Sequence, residues 1–264
     1  MKAFDFEYDN RNLSSYGFII CNFDSKGMNT VSNGSTITFN TISTFGGSKH
    51  NLTSTEYEDC LETTIQICKN YCSSDIKEIS STELRELTKW LSRKKFLKFK
   101  ILDEDYIDLY FEASFNISRI EFDGKVYGLE LEVITNAPFA YKEPKMITVR
   151  NIEYGGKHSI NDISCEEGYI YPLTEITIKE NGDLNIYNSI ENRNTYIANC
   201  VAGEIITMDY PVIQSSVSSH NIQNDFNWNF FRVANTINNS RNDLTISLPC
   251  TVKIKYSPIV KVGL

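Results

Sequence analysis

Residues Arg119 to Ile134 read RIEFDGKVYGLELEVI. Asp123-Gly124 separates two β-rich runs, and Asp-Gly readily adopts the positive φ that both central positions of a type I′ hairpin turn need. Beyond it, Leu129, Leu131 and Val133 alternate with Glu130 and Glu132. That period of two predicts a strand with one buried and one wet face. The hairpin sets the class of the whole chain, because runs of the same kind recur on both sides of it.

Downstream, Ile176–Ile178 and Leu184–Tyr187 flank Asn181-Gly182, which reads as another hairpin. Further strand-like runs are Thr195–Val201, Glu204–Met208, Phe226–Val233, Leu244–Leu248 and Val252–Tyr256. This spacing predicts a single antiparallel β-sandwich without a helix. Between the halves, Ala137-Pro-Phe-Ala-Tyr-Lys-Glu-Pro144 carries two prolines and no period, which places a domain boundary there. The expected domains are 1–138 and 139–264.

Upstream, Tyr16–Phe23 is a strand-like apolar run, and Leu61, Thr63, Ile65 and Ile67 share one face of another. Between them, about 25–55, lies a stretch rich in Gly, Ser, Thr and Asn. It is long for a loop and too polar to offset its ordering entropy alone, so it is expected to be an extended arm lying against something else. One helix is predicted, over about 82–92: Ser80–Thr82 offer N-caps, and Leu84, Leu87, Trp90 and Leu91 recur at helical spacing. Trp90 shares that apolar stripe and is read as a core anchor.

After the helix comes RKKFLKFKILDEDYIDLY, Arg93–Tyr110, basic at its start and acidic from Asp103 on. A three-residue turn at Asp103–Asp105 would oppose Ile101 to Ile107, Phe99 to Leu109 and Lys100 to Asp108, keeping the apolar face intact. The unpaired basic end, Arg93, Lys94 and Lys95, also suits the dipole at the helix C-terminus.

The 264 residues carry 34 acidic and 26 basic side chains, a formal net charge of −8. That balance argues against sequence-independent nucleic-acid binding, which depends on neutralising phosphates. No run is long and apolar enough for a helical membrane span. MKAFDFEYDN places charges where a signal peptide needs its apolar core, so no secretory leader is expected. Seven scattered cysteines read as reduced thiols, and Cys68 and Cys72 lack the second pair that a zinc site requires. No metal, cofactor or catalytic residue is expected. The chain has neither a phosphate loop nor a nucleophile elbow, and its three histidines are isolated. Glu166-Glu167 and Asp103–Asp105 are poor glycosidase carboxylates, since strand neighbours face opposite ways and turn clusters are solvated. Asn224-Asp-Phe-Asn-Trp-Asn-Phe230 is the best candidate for sugar stacking, against the simpler reading of Phe226, Trp228 and Phe230 as one buried strand face.

Taken in order, the first strand, the arm, the capped helix, Trp90-Leu-Ser-Arg-Lys94, the basic-to-acidic hairpin and Leu131-Glu-Val-Ile-Thr-Asn-Ala-Pro-Phe139 resemble the distal tail protein family of long-tailed bacteriophages. Gly203-Glu-Ile-Ile-Thr-Met-Asp209, Asn224-Asp-Phe226, Leu244-Thr-Ile246 and Val252-Lys-Ile-Lys-Tyr-Ser-Pro258 resemble that family's C-terminal module. The resemblance covers essentially the whole chain.

It implies a mainly β, non-enzymatic structural protein. The N-terminal domain would be a β-sandwich-like, ring-forming unit with one helix and the arm, and the C-terminal domain a galectin-like antiparallel β-sandwich. Six copies would form a homo-hexameric ring at the distal end of the tail tube. The ring would join the tail-tube protein on one side to the baseplate or tail-tip hub on the other, and DNA would pass through its lumen without specific binding. Assembly would take place in the bacterial host cytoplasm, with the protein ending at the virion tail tip. Arg93, Lys94 and Lys95, with Phe45, Gly46 and Gly47 of the arm, are the expected subunit or partner contacts. A carbohydrate-binding, host-recognising C-terminal domain is the alternative.

Overall fold

The computed structural model describes residues 3–23, 36–43, 49–70, 72, 77–236 and 239–262. These form two compact units, Met1–Lys142 with Lys261–Leu264, and Glu143–Val260. The chain is mainly β throughout.

The first unit contains β1 (Phe6–Tyr8), β2 (Arg11–Asn12), β3 (Phe18–Cys21), β4 (Ile37–Ser43), β5 (His50–Tyr57), β6 (Glu62–Lys69), α1 (Ser81–Leu91), β7 (Leu97–Ile101), β8 (Leu109–Phe122), β9 (Lys125–Thr135) and β10 (Ala140–Lys142). Its main sheet runs β2-β1-β7-β8-β9-β6-β3, with β10 added beside β8, while β4 and β5 pair only with each other. The main sheet curls: the Ile20 amide of β3 donates to the Phe4 carbonyl just ahead of β1, at 3.0 Å. One face is filled by Phe6, Tyr8, Phe99, Phe111, Phe115, Leu129, Leu131 and Val133, all buried.

Helix α1 packs Leu87, Trp90 and Leu91 into that core. It starts at a capping box, in which the Ser80 hydroxyl accepts from the Glu83 amide and the Glu83 carboxylate accepts from the Ser80 amide. Lys69 of β6 pairs with the same carboxylate at 2.9 Å, tying helix to sheet. Trp90 is the anchor. Its indole N–H donates to the Tyr8 carbonyl at 3.1 Å, and its ring stacks on Tyr16 at 4.6 Å and on Phe6 at 5.9 Å.

The Asp-Gly hairpin forms as its sequence predicts. Asp123 and Gly124 adopt φ of 51° and 73°, and Phe122 pairs with Lys125. The basic-to-acidic stretch departs from the expected register. Phe99 pairs with Phe111 and Lys98 with Glu112, two positions beyond the expected partners. The connection is longer because the Asp103 side chain caps a 3-10 turn, Glu104–Tyr106, and Ile101 pairs with Phe6 of β1. Ile107, expected opposite Ile101, is 74% exposed. A shift of two residues preserves which side chains face the core, so the apolar face survives although its partners change.

The second unit contains β11 (Lys145–Asn151), β12 (Gly156–Asn161), β13 (Gly168–Ile170), β14 (Leu173–Ile178), β15 (Gly182–Asn188), β16 (Arg193–Cys200), β17 (Ile205–Asp209), β18 (Val212–Ser215), α2 (Ile222–Asp225), β19 (Val233–Asn235), β20 (Arg241–Ile246) and β21 (Cys250–Tyr256). The sheets β11-β21-β14-β17-β18 and β12-β20-β15-β16 enclose its core, and β13 pairs with β19. Ile176, Ile206, Met208, Val252 and Ile254 come from the first of them, and Leu184, Ile186, Ile197, Leu244 and Ile246 from the second. Alternation along each strand produces this sandwich.

Two expectations fail here. Asn181-Gly182 closes no hairpin: β14 and β15 lie in different sheets, and the intervening residues cross from one to the other. Residues 226–233 form no continuous strand, and a short α2 turn precedes them. Phe226 makes a single bridge to Ile197 of β16, and strand pairing begins again only at β19, against β13 in another sheet. The Asn227 side chain is the cause. Its carbonyl oxygen accepts from the amides of Tyr196 and Asn229, at 3.2 and 3.1 Å, replacing ladder bonds with a local turn. Phe226 and Phe230 remain buried, but Trp228 is 56% exposed, so the three do not share a buried face.

Candidate interface for a neighbouring copy

Hairpin β4–β5 occupies the second half of the expected arm, and its cross-strand pairs make it amphipathic. Ile37 opposes Tyr57, Phe39 opposes Thr55 and Thr41 opposes Leu52, so these six residues share one face. Thr38, Asn40, Ser54 and Glu56 line the other, joined there by Ile42. The register slips at Asn40/Thr41, leaving Thr53 as the extra residue of a β-bulge. Regular pairing would have set Leu52 opposite Ile42. The bulge turns it onto the face of Phe39.

Among the described residues that apolar face is uncovered. Every residue of β4 and β5 except Thr38 and Tyr57 is exposed, with Phe39 at 63% and Leu52 at 58%. A two-stranded hairpin alone in water is marginally stable, and packing on another surface is what normally secures it.

The six expected contact residues divide. Arg93 is held within its own chain: its Nε donates to the Trp90 carbonyl at 3.0 Å, its guanidinium lies 3.9 Å from Asp9, and its own carbonyl accepts from the Ser114 hydroxyl at 2.7 Å. It therefore closes the C-terminus of α1 and joins it to β8, rather than offering a free cation. Lys94 and Lys95 are exposed, next to Phe96 at 45% exposure. Phe45, Gly46 and Gly47 lie outside the described residues. The hairpin and the Lys94–Phe96 segment are thus two exposed features on different elements.

The apolar hairpin face was missed in the sequence, where 25–55 reads as one polar arm. Its signal is short: Ile37-Thr-Phe39-Asn40 alternates, but the bulge hides Leu52 from any strict period of two.

Two family models match the chain, one described as a phage tail protein N-terminal domain over residues 1–137, the other as a phage tail C-terminal domain over residues 139–256. No curated protein matches. Among solved structures, the chain is similar to the Dit protein (gp 19.1) of phage SPP1, described as a paradigm of the hub adsorption apparatus in phages that infect Gram-positive bacteria. The two share 11% identity with a TM-score of 0.65, over 97% of this chain and 99% of the other, so they share a fold. The chain belongs to this family of phage tail proteins.

Proposed function

We propose that the protein is the distal tail protein of its phage: a homo-hexameric ring at the end of the tail tube, joining the tube to the baseplate or tail-tip hub. Residues 1–138 would build the ring and 139–264 would face outward. Tail-tube protein would dock on one side and hub protein on the other, with DNA passing through an acidic lumen that does not retain it. The family and the fold shared with the SPP1 hub protein support this reading.

The observation that carries it is the uncovered face of β4–β5. Ile37, Phe39 and Leu52 have no burial within their own unit that matches their apolarity. A hairpin laid on the next copy is a heterologous contact, and such contacts close into a ring when the rotation permits. Lys94 and Lys95 would set register against an acidic partner surface more than they would add affinity.

Native mass spectrometry of the purified chain, alone and mixed with its tube and hub proteins, tests the reading. Hexamers are expected, and Phe39→Asp with Leu52→Asp should abolish them without unfolding the chain. A chain that remains monomeric in tail particles would overturn it.

A further inference from the structure

The second unit carries a row of aromatic rings that begins in its core, where Phe230 is buried and Tyr171 packs against the cluster, and runs out to the surface. Tyr169 meets Tyr171 at 5.5 Å, Tyr171 stacks on Tyr210 at 4.1 Å with planes 10° apart, Tyr210 meets Phe230 at 5.3 Å, and Phe230 meets Trp228 at 6.4 Å. Phe230 is buried, while Tyr169, Tyr210 and Trp228 are 54%, 55% and 56% exposed. The row therefore has a buried base and an open upper surface.

Trp228 is held in that position against its backbone preference. Its φ is +57°, a region that bulky residues rarely occupy. The conformation persists because Asn227 fixes the loop from three directions, through the Tyr196 and Asn229 amides and the Asn194 carbonyl. Strain of this kind, over-determined by its surroundings, gathers where a side chain must be presented.

The charges around the row are largely compensated. Arg232 lies 3.8 Å over the Tyr169 ring and forms a two-pronged pair with Glu191, at 2.5 and 2.9 Å. Asp225 faces His220 at 3.3 Å and accepts from Asn199. Asp209, exposed beside Tyr210, adds a carboxylate that accepts from hydroxyls and repels anions. Flat rings with hydroxyl and carboxylate groups beside them, and an Arg232 already paired with Glu191, match a ligand with apolar C–H faces and neutral hydroxyl edges.

We infer that the row Tyr169–Tyr171–Tyr210–Trp228 is a binding site for an uncharged saccharide, stacked on Tyr210 and Trp228. The site is independent of the ring: it lies within one unit and needs no second copy.

The full-length chain is printed against an array of neutral oligosaccharides, namely glucans, galactans, rhamnans and N-acetylglucosamine oligomers, with a glycerol-phosphate polymer as the anionic arm. Trp90 is buried, so iodide-quenchable emission reports Trp228, and a bound saccharide should shield it. Affinity for the neutral ligand should fall at least tenfold in Trp228→Ala and in Tyr210→Ala. Tyr154→Ala, an exposed tyrosine outside the row, should bind as wild type. Trp228→Gly separates binding from folding, because glycine prefers the conformation held there: its Tm should not fall, while binding is lost. Retention of no neutral saccharide at millimolar concentration, preference for the phosphate polymer, or full binding by Trp228→Ala would each overturn the assignment. So would burial of the row against a protein neighbour in tail particles.

Discussion

His220 Nδ1 lies 2.6 Å from the Glu204 carboxylate, with both side chains buried in the second unit. The other ring nitrogen faces Asp225 at 3.3 Å, while the Ser215 hydroxyl and the Val201 amide also donate to Glu204. Three segments therefore meet at the Glu204 carboxylate: Val201 in the turn before β17, Ser215 at the end of β18, and His220 ahead of the α2 turn that leads to Trp228.

This arrangement makes the second unit acid-sensitive. Burial alone would raise the Glu204 pKa; the hydrogen bonds from Ser215, Val201 and His220 outweigh it and hold the carboxyl below its ordinary value. A pKa depressed in the folded state adds stability above the unfolded value of about 4.3, and that contribution disappears as pH falls through the folded value. Glu204→Gln should cost about 1–3 kcal/mol at neutral pH, because buried donors lose a charged acceptor. Its deficit against wild type should shrink on acidification. Thermal melts of both proteins from neutral to acidic pH check this, and a deficit independent of pH would contradict it.

Gly124 offers a test of the turn free of packing effects. A Cβ built there meets nothing within 4 Å, but the residue sits at φ +73°. Gly124→Ala should therefore destabilise by about 1–2 kcal/mol, the backbone cost of a left-handed L-residue. Urea unfolding should show a lower midpoint with an unchanged slope.

These two sites also mark what the sequence could reveal. Asp123-Gly124 was legible because its turn is local, and Trp90 because its stripe has a helical period. Asn181-Gly182 carries the same kind of signal as Asp123-Gly124, yet its flanking strands enter different sheets, since pairing with β21 and with β20 decides their partners. Trp228 fits an alternating pattern that the side chain of Asn227 interrupts. The Glu204–His220 contact spans sixteen residues of chain without any motif. Of the candidate interface, the arm was visible as a segment lacking a partner, but its apolar face depends on a bulge that no periodicity reports.

Neighbouring cations after α1 should behave oppositely. The Arg93 side chain holds the helix end through the Trp90 carbonyl, so Arg93→Ala should cost about 1 kcal/mol, the scale of a lost hydrogen bond, whatever the state of assembly. Lys94→Glu with Lys95→Glu should leave the stability of the isolated chain within about 0.5 kcal/mol of wild type, as surface changes usually do. The double variant should slow association with tube or hub protein in a salt-dependent way. Stopped-flow light scattering at low and high salt distinguishes the two behaviours, and equal effects at both salts would remove the lysines from the interface.

The bulge in β4–β5 gives the sharpest test of the arm. Inserting one threonine between Asn40 and Thr41, together with Ile42→Thr so that no apolar residue crosses onto the face of Phe39, would supply a partner for Thr53 and make the ladder regular. Leu52 would keep its place opposite Thr41, but both would move to the face away from Phe39, because each added residue reverses the sides of a strand. Composition and β-propensity would barely change, and Thr38, Asn40 and Ser54 would keep their pairing. The stability of the isolated chain should therefore stay within about 0.5 kcal/mol of wild type, since nothing buried is disturbed. Sedimentation should show the proposed hexamers weakened at least tenfold, because the continuous patch of Ile37, Phe39 and Leu52 is broken. An insertion variant that assembled as well as wild type would mean that the apolar face of the hairpin is not what the next copy holds.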